Sequence, residues 1–140
     1  MSSQSARVPA PLRVLVIADG EHIVDPTRII AAIGHGVDVA IGVCAPDDEC
    51  STATLLAAAN ALEGLDRGGV RARYLELPGP LAHGSAAWAE RDATDHAERL
   101  VLVDAAVGPR RIRQLRRAMR SAGGHLGVVP ALRSEGVAAS

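Results

Sequence analysis

Lysine and phenylalanine are both missing from the 140 residues, and the chain holds one Trp, one Tyr and two Cys. Without a side-chain amine there is no Walker-type phosphate-loop lysine, no Schiff-base chemistry and no strand-end lysine of the receiver-domain kind. With almost no aromatic rings, the core must come from Val, Leu, Ile and Ala, and there is no platform on which nucleic-acid bases stack. Cys44 and Cys50 are too far apart for a C-x-x-C redox pair or a zinc knuckle. No apolar run approaches the about 18 residues a membrane span needs, and no basic stretch at the N-terminus leads into a long apolar one. The reading is therefore a cytoplasmic protein with reduced thiols. Acid is also missing in one place. Residues 108–133 carry seven Arg and no Asp or Glu, whereas residues 1–107 carry eight Arg against fifteen acids, within a net charge of −1. The C-terminal quarter is electrostatically separate from the rest.

What is present is 48% apolar and 22% charged, the composition of a folded chain of about one domain. Residues 1–11, small and polar with two prolines, read as a disordered arm, residues 12–130 as one domain, and residues 131–140 as a flexible tail. Residues 13–18 (RVLVIA) form a continuous apolar run closed by Asp19-Gly20, which predicts a strand covered on both faces. Asp25-Pro26 offers an N-cap with Pro at the first helical position, and Ile29, Ile30 and Ile33 give the helix its apolar side. Residues 37–44 (VDVAIGVC) predict a second strand. A helix capped by Ser51 or Thr52 follows to about Leu65, with Leu55, Leu56, Ala58, Ala59 and Leu62 as its expected buried positions. Residues 70–77 alternate apolar and charged, as an edge strand does. Residues 82–97 predict a helix carrying Trp88, residues 99–104 (RLVLVD) a buried strand, Gly108-Pro109 the start of an Arg-rich helix, and residues 125–129 (HLGVV) a fifth strand.

Strands alternating with helices imply right-handed crossovers, hence a three-layer α/β/α sandwich with a five-stranded parallel sheet, Rossmann-like, in the order 3-2-1-4-5. Ligands of such sheets lie beyond the carboxyl ends of the strands, where the strand order reverses. The first strand with Asp19-Gly20-Glu21-His22, the second strand ending at Val43, and the Pro78-Gly79-Pro80 turn together resemble the universal stress protein family. Residues 12–130 can be laid on that pattern. The resemblance implies a stress-related or regulatory binding domain, with Asp19, Gly20, Glu21, His22, Val43, Gly79, Asp104, Gly108, Arg110 and Arg111 around an adenine-nucleotide site at the strand ends. The pattern is broken after the fourth strand. Members that bind ATP carry a glycine loop ending in G-[ST] there, whereas this chain reads Asp104-Ala105-Ala106-Val107-Gly108-Pro109-Arg110-Arg111. Pro109 removes a donor and Asp104 repels phosphate. The reading is thus a non-catalytic member without a cofactor, not binding ATP or AMP in the family manner.

Two alternatives remain open on the residues. Asp19, Glu21, His22 and Asp104 could support acid–base chemistry at the strand ends, with turn formation as the simpler explanation of the first three. Arg113, Arg116, Arg117 and Arg120 recur at i, i+3, i+4 and i+7 and share one helix face beside the apolar stripe of Ile112, Leu115, Met119 and Ala122. That face suits an acidic protein, and less well a nucleic acid. It is equally explained by Glu90, Asp92, Asp95 and Glu98 on a neighbouring helix. A homodimer through the final, Val-rich edge strand is expected. The histidines show no metal-binding spacing, and Ser85 is placed as an N-cap rather than a nucleophile.

Overall fold

A computed structural model describes residues 12–20, 22–33, 37–44, 52–78, 80–90 and 98–130. The N-terminal arm, the C-terminal tail, Glu21, Ser51, Cys50, Gly79, Asp92 and Asp95 lie outside the described residues. Five strands, β1 (Leu12–Ile17), β2 (Asp38–Cys44), β3 (Ala72–Leu77), β4 (Glu98–Asp104) and β5 (His125–Val129), alternate with four α-helices. The helices are α1 (Pro26–Ile33), α2 (Thr52–Arg67), α3 (Leu81–Glu90) and α4 (Pro109–Ala122), with a 3-10 turn at Ala105–Val107 before α4. All strand pairs are parallel and the order is β3-β2-β1-β4-β5, as the alternation of elements implies.

The sheet steps one way from β1 to β3 and the other way from β4 to β5, so right-handed crossovers put α1 and α2 on one face and α3 and α4 on the opposite face. Each face has its own core. Val14 and Val16 pack with Val39, Ile41, Ile29, Ala58 and Leu65 on the first, and Leu15 and Ile17 pack with Val101, Val103, Leu81, Leu115 and Met119 on the second. This division explains the unbroken apolar run of β1. Successive side chains of a strand point to opposite faces, and here both faces are covered. Asp25 caps α1, its Oδ1 accepting the Thr27 N–H at 2.7 Å. At the other end of the chain, α4 opens on Gly108 and Pro109 and closes on Gly123 in the left-handed region (φ 81°). β3 lies at the sheet edge with Arg73 and Glu76 exposed, but Tyr74, which the alternation counts among the apolar positions, is exposed beside them.

The expected face of α2 is corrected. Leu55 and Leu56 are 42% and 59% exposed, and Ala59 is exposed as well, while Thr54, Ala58, Ala61 and Leu65 are buried. A row of small residues lets the helix axis lie close to the sheet, which the bulkier leucine row would prevent. Gly64 lies within this helix, its Cα facing the Pro26 ring of α1. Ser85 is not an N-cap. It is the fifth residue of α3 and fully buried, its hydroxyl without a hydrogen-bond partner among the described residues. The helix begins earlier, at Leu81 after Pro80, and runs straight through Gly84.

Candidate functional site

The chain leaves β1 through a tight reversal. Asp19 and His22 exchange two backbone hydrogen bonds, of 3.1 Å and 2.9 Å, and Gly20 turns the chain at φ 62°. The Gly20 N–H donates to Thr54 Oγ1 at 2.8 Å, which ties this turn to the first turn of α2. A Thr54→Val variant keeps the shape and removes the acceptor, so we expect a loss of about 1–2 kcal/mol in chemical denaturation. An unchanged midpoint would mean that water satisfies the Gly20 N–H.

Beyond the turn, the segment from His22 to Pro26 forms one wall of a cleft of about 520 Å³. Arg28 of α1 and Ala57, Asn60 and Ala61 of α2 complete that side, and Asp104, Ala106, Val129 and Pro130 close the other. The cleft thus opens at the carboxyl ends of β1, β4 and β5, on the face of α1 and α2. Its place is where the strand order reverses, since β1 and β4 are neighbours in the sheet but lead their connections in opposite directions. Its volume lies within the ~300–1,000 Å³ of small-molecule sites.

The polar groups in it are specific. Asp104 Oδ1 accepts the Ala106 N–H at 2.8 Å and Asp25 Oδ1 the Thr27 N–H, while the second oxygen of each has no partner among the described residues. The guanidinium of Arg28 donates through Nη1 to the Pro130 carbonyl, fastening α1 to the end of β5. Two carboxylates therefore face one cation that is already engaged, and the local charge opposes a triphosphate. The residues do not fit the phosphates of ATP. Asp104 holds the Ala106 N–H, Pro109 offers none, and Asp25 occupies the amide end of α1.

Of the residues singled out in the sequence, His22 and Asp104 line the cleft. Asp19 does not. Its carboxylate turns to the opposite face of the sheet and pairs with Arg111 (Nη1–Oδ2 3.5 Å), so it and Asp104 are not brought to one cleft. Val43 is buried in the core beneath α2. Gly108 stands before α4 at φ 102°, and Arg110 lies exposed on that helix. Glu21 and Gly79 lie outside the described residues. Arg113, Arg116, Arg117 and Arg120 are all exposed, and no carboxylate among the described residues pairs with them. His83 and His125 are exposed on separate elements, and no group of three or more metal-ligating side chains occurs among the described residues. No helix among them is long and apolar enough to cross a membrane.

Sequence reasoning missed Arg28, Asn60 and the Val129-Pro130 end of β5. A usable signal existed for two of them. Asn60 is an amide within an Ala-rich helix, and Arg28 is the single charge of α1. Fold and cleft together define an open parallel α/β domain with a cleft of small-molecule size at its switch point. No family model, no curated protein and no solved structure matches the chain, so fold and cleft carry the functional argument.

Proposed function

We propose that the chain is a non-catalytic binding domain, built like a universal stress protein, whose cleft takes a small uncharged molecule bearing hydroxyl groups on one side and an apolar ring on the other. A nucleoside without phosphates is the class that combines both. The observation that carries this reading is the switch-point cleft, in which one oxygen each of Asp25 and Asp104 has no partner among the described residues and is placed to accept a hydrogen bond from a diol. Asn60 supplies both donor and acceptor, and Ile23, Val24, Ala57 and Val129 supply apolar contact. A regulatory or stress-related role follows from the resemblance alone and is part of the same proposal.

The test is thermal unfolding with adenosine, guanosine and ATP, each at millimolar concentration, beside an Asn60→Ala variant. Linkage predicts that a nucleoside at 100 times its Kd adds about 2.7 kcal/mol to the apparent stability, while ATP adds less. Asn60 is exposed, so its replacement should weaken the nucleoside effect at least tenfold in concentration without moving the ligand-free midpoint. A larger rise with ATP, or no rise with any nucleoside, would overturn the assignment.

A further inference from the structure

We propose that the open edge of β5 takes up an extended acidic segment of a partner protein as a sixth strand, whose carboxylates pair with Arg116 and Arg120. β5 pairs with β4 along one edge, and no strand among the described residues meets its other edge. Edge strands are ordinarily blunted by inward charges, proline or a bulge. β5 reads HLGVV and carries none of these, so its outer N–H and C=O groups form a template for another strand.

Arg111 reaches inward to Asp19 at the end of β1, which turns the opposite flank of α4 toward β5. On that flank Arg116 and Arg120 line a cleft of about 210 Å³ together with His125 and Leu126. Neither guanidinium has a carboxylate partner among the described residues. Residues four apart on a helix rise about 6 Å, and residues two apart on a strand advance about 6.6 Å. Two acidic side chains on one face of an added strand therefore match the two guanidiniums in register. Guanidinium–carboxylate pairs of this kind are bidentate and directional.

The same geometry disfavours the other occupants. An antiparallel pairing of two β5 strands, about a two-fold axis perpendicular to the sheet, keeps both α4 helices on one face and crowds Arg116 and Arg120 against their own copies. A nucleic acid would satisfy the guanidiniums but leave the β5 backbone unused.

A fluorescent ten-residue peptide alternating Glu with Val is the probe, read by anisotropy with the full chain and by hydrogen exchange over residues 125–129. Binding is expected to slow exchange in β5 and to weaken at least tenfold in each of three arms. These are the Arg116→Ala/Arg120→Ala double variant, a peptide with Gln for Glu, and a peptide N-methylated at alternate amides. Both arginines are exposed, so the variant should unfold at the same denaturant concentration as the parent chain. Three results would overturn the proposal: equal binding of the N-methylated peptide, which needs charge without a strand; tighter binding of a short DNA duplex; or a dimer in which residues 125–129 are already protected without peptide.

Discussion

Replacing Leu115 by alanine should lower the unfolding free energy by about 3–5 kcal/mol. The reason is the narrow footing of α4. Leu115 and Met119, one turn apart, are the buried side chains of this helix, and its remaining surface is dominated by exposed arginines. Leu115 has no solvent exposure and packs in the same core as Leu15, Ile17, Val101 and Val103. Truncation leaves a cavity against a sheet that cannot collapse into it, because those strands are also held by the core on the other face. For a domain of ordinary stability, roughly 5–15 kcal/mol, the loss is a large fraction of the whole. Urea denaturation of Leu115→Ala beside Arg113→Ala measures it, with the arginine variant expected within about 0.5 kcal/mol of the parent. A loss below 1 kcal/mol for Leu115 would contradict the packing of α4 on β1 and β4.

The second large effect runs against helix propensity. Glycine within a helix is usually worse than alanine by about 1 kcal/mol, so Gly84→Ala would ordinarily stabilise α3. Here a Cβ at position 84 would stand 2.7 Å from Leu77 Cβ and 2.8 Å from the Pro78 carbonyl oxygen. Neither neighbour can yield cheaply, since Leu77 is buried and the oxygen belongs to the backbone. Overpacking of this kind costs about 1–3 kcal/mol beyond any gain in propensity. The melting temperature of Gly84→Ala should fall by about 4–12 °C. A rise would mean that α3 lies further from the end of β3 than the packing of Gly84 requires.

The strands were the most legible part of the chain. Residues 125–129 are bounded by Gly124 and Pro130 and fold as β5 with those limits, and the continuous run of β1 correctly implied cover on both faces. Helix faces were harder to read. On α2, hydrophobicity favours Leu55 and Leu56, but close approach to the sheet selects Thr54, Ala58 and Ala61, whose merit is small volume. Ser85 misled for a related reason. Gly84 beside it looks like a helix boundary, yet its missing side chain serves the contact with Leu77. The site was half legible. The cleft does open at the strand ends, where Asp104 and His22 line it, but the way Asp19 turns depends on Arg111, which lies 92 positions along the chain. The wall containing Asn60 and the closing edge at Pro130 exist only once α2 and β5 have been laid beside the sheet.

The register of the two central strands has a consequence for biosynthesis. β1 pairs with β4 through partners such as Arg13 and Arg99, so its second neighbour is made 86 residues after it. At ~5–20 residues per second of translation, β1 waits on the order of 4–17 s before β4 can dock. During that interval the most apolar strand of the protein has one unprotected edge, and half of the second core, including Leu115 and Met119, has not been made. Such late, non-local closure slows folding and lengthens exposure to aggregation. The nascent chain is therefore most in need of a chaperone while β2, α2 and β3 are emerging, before the strand that completes its centre exists.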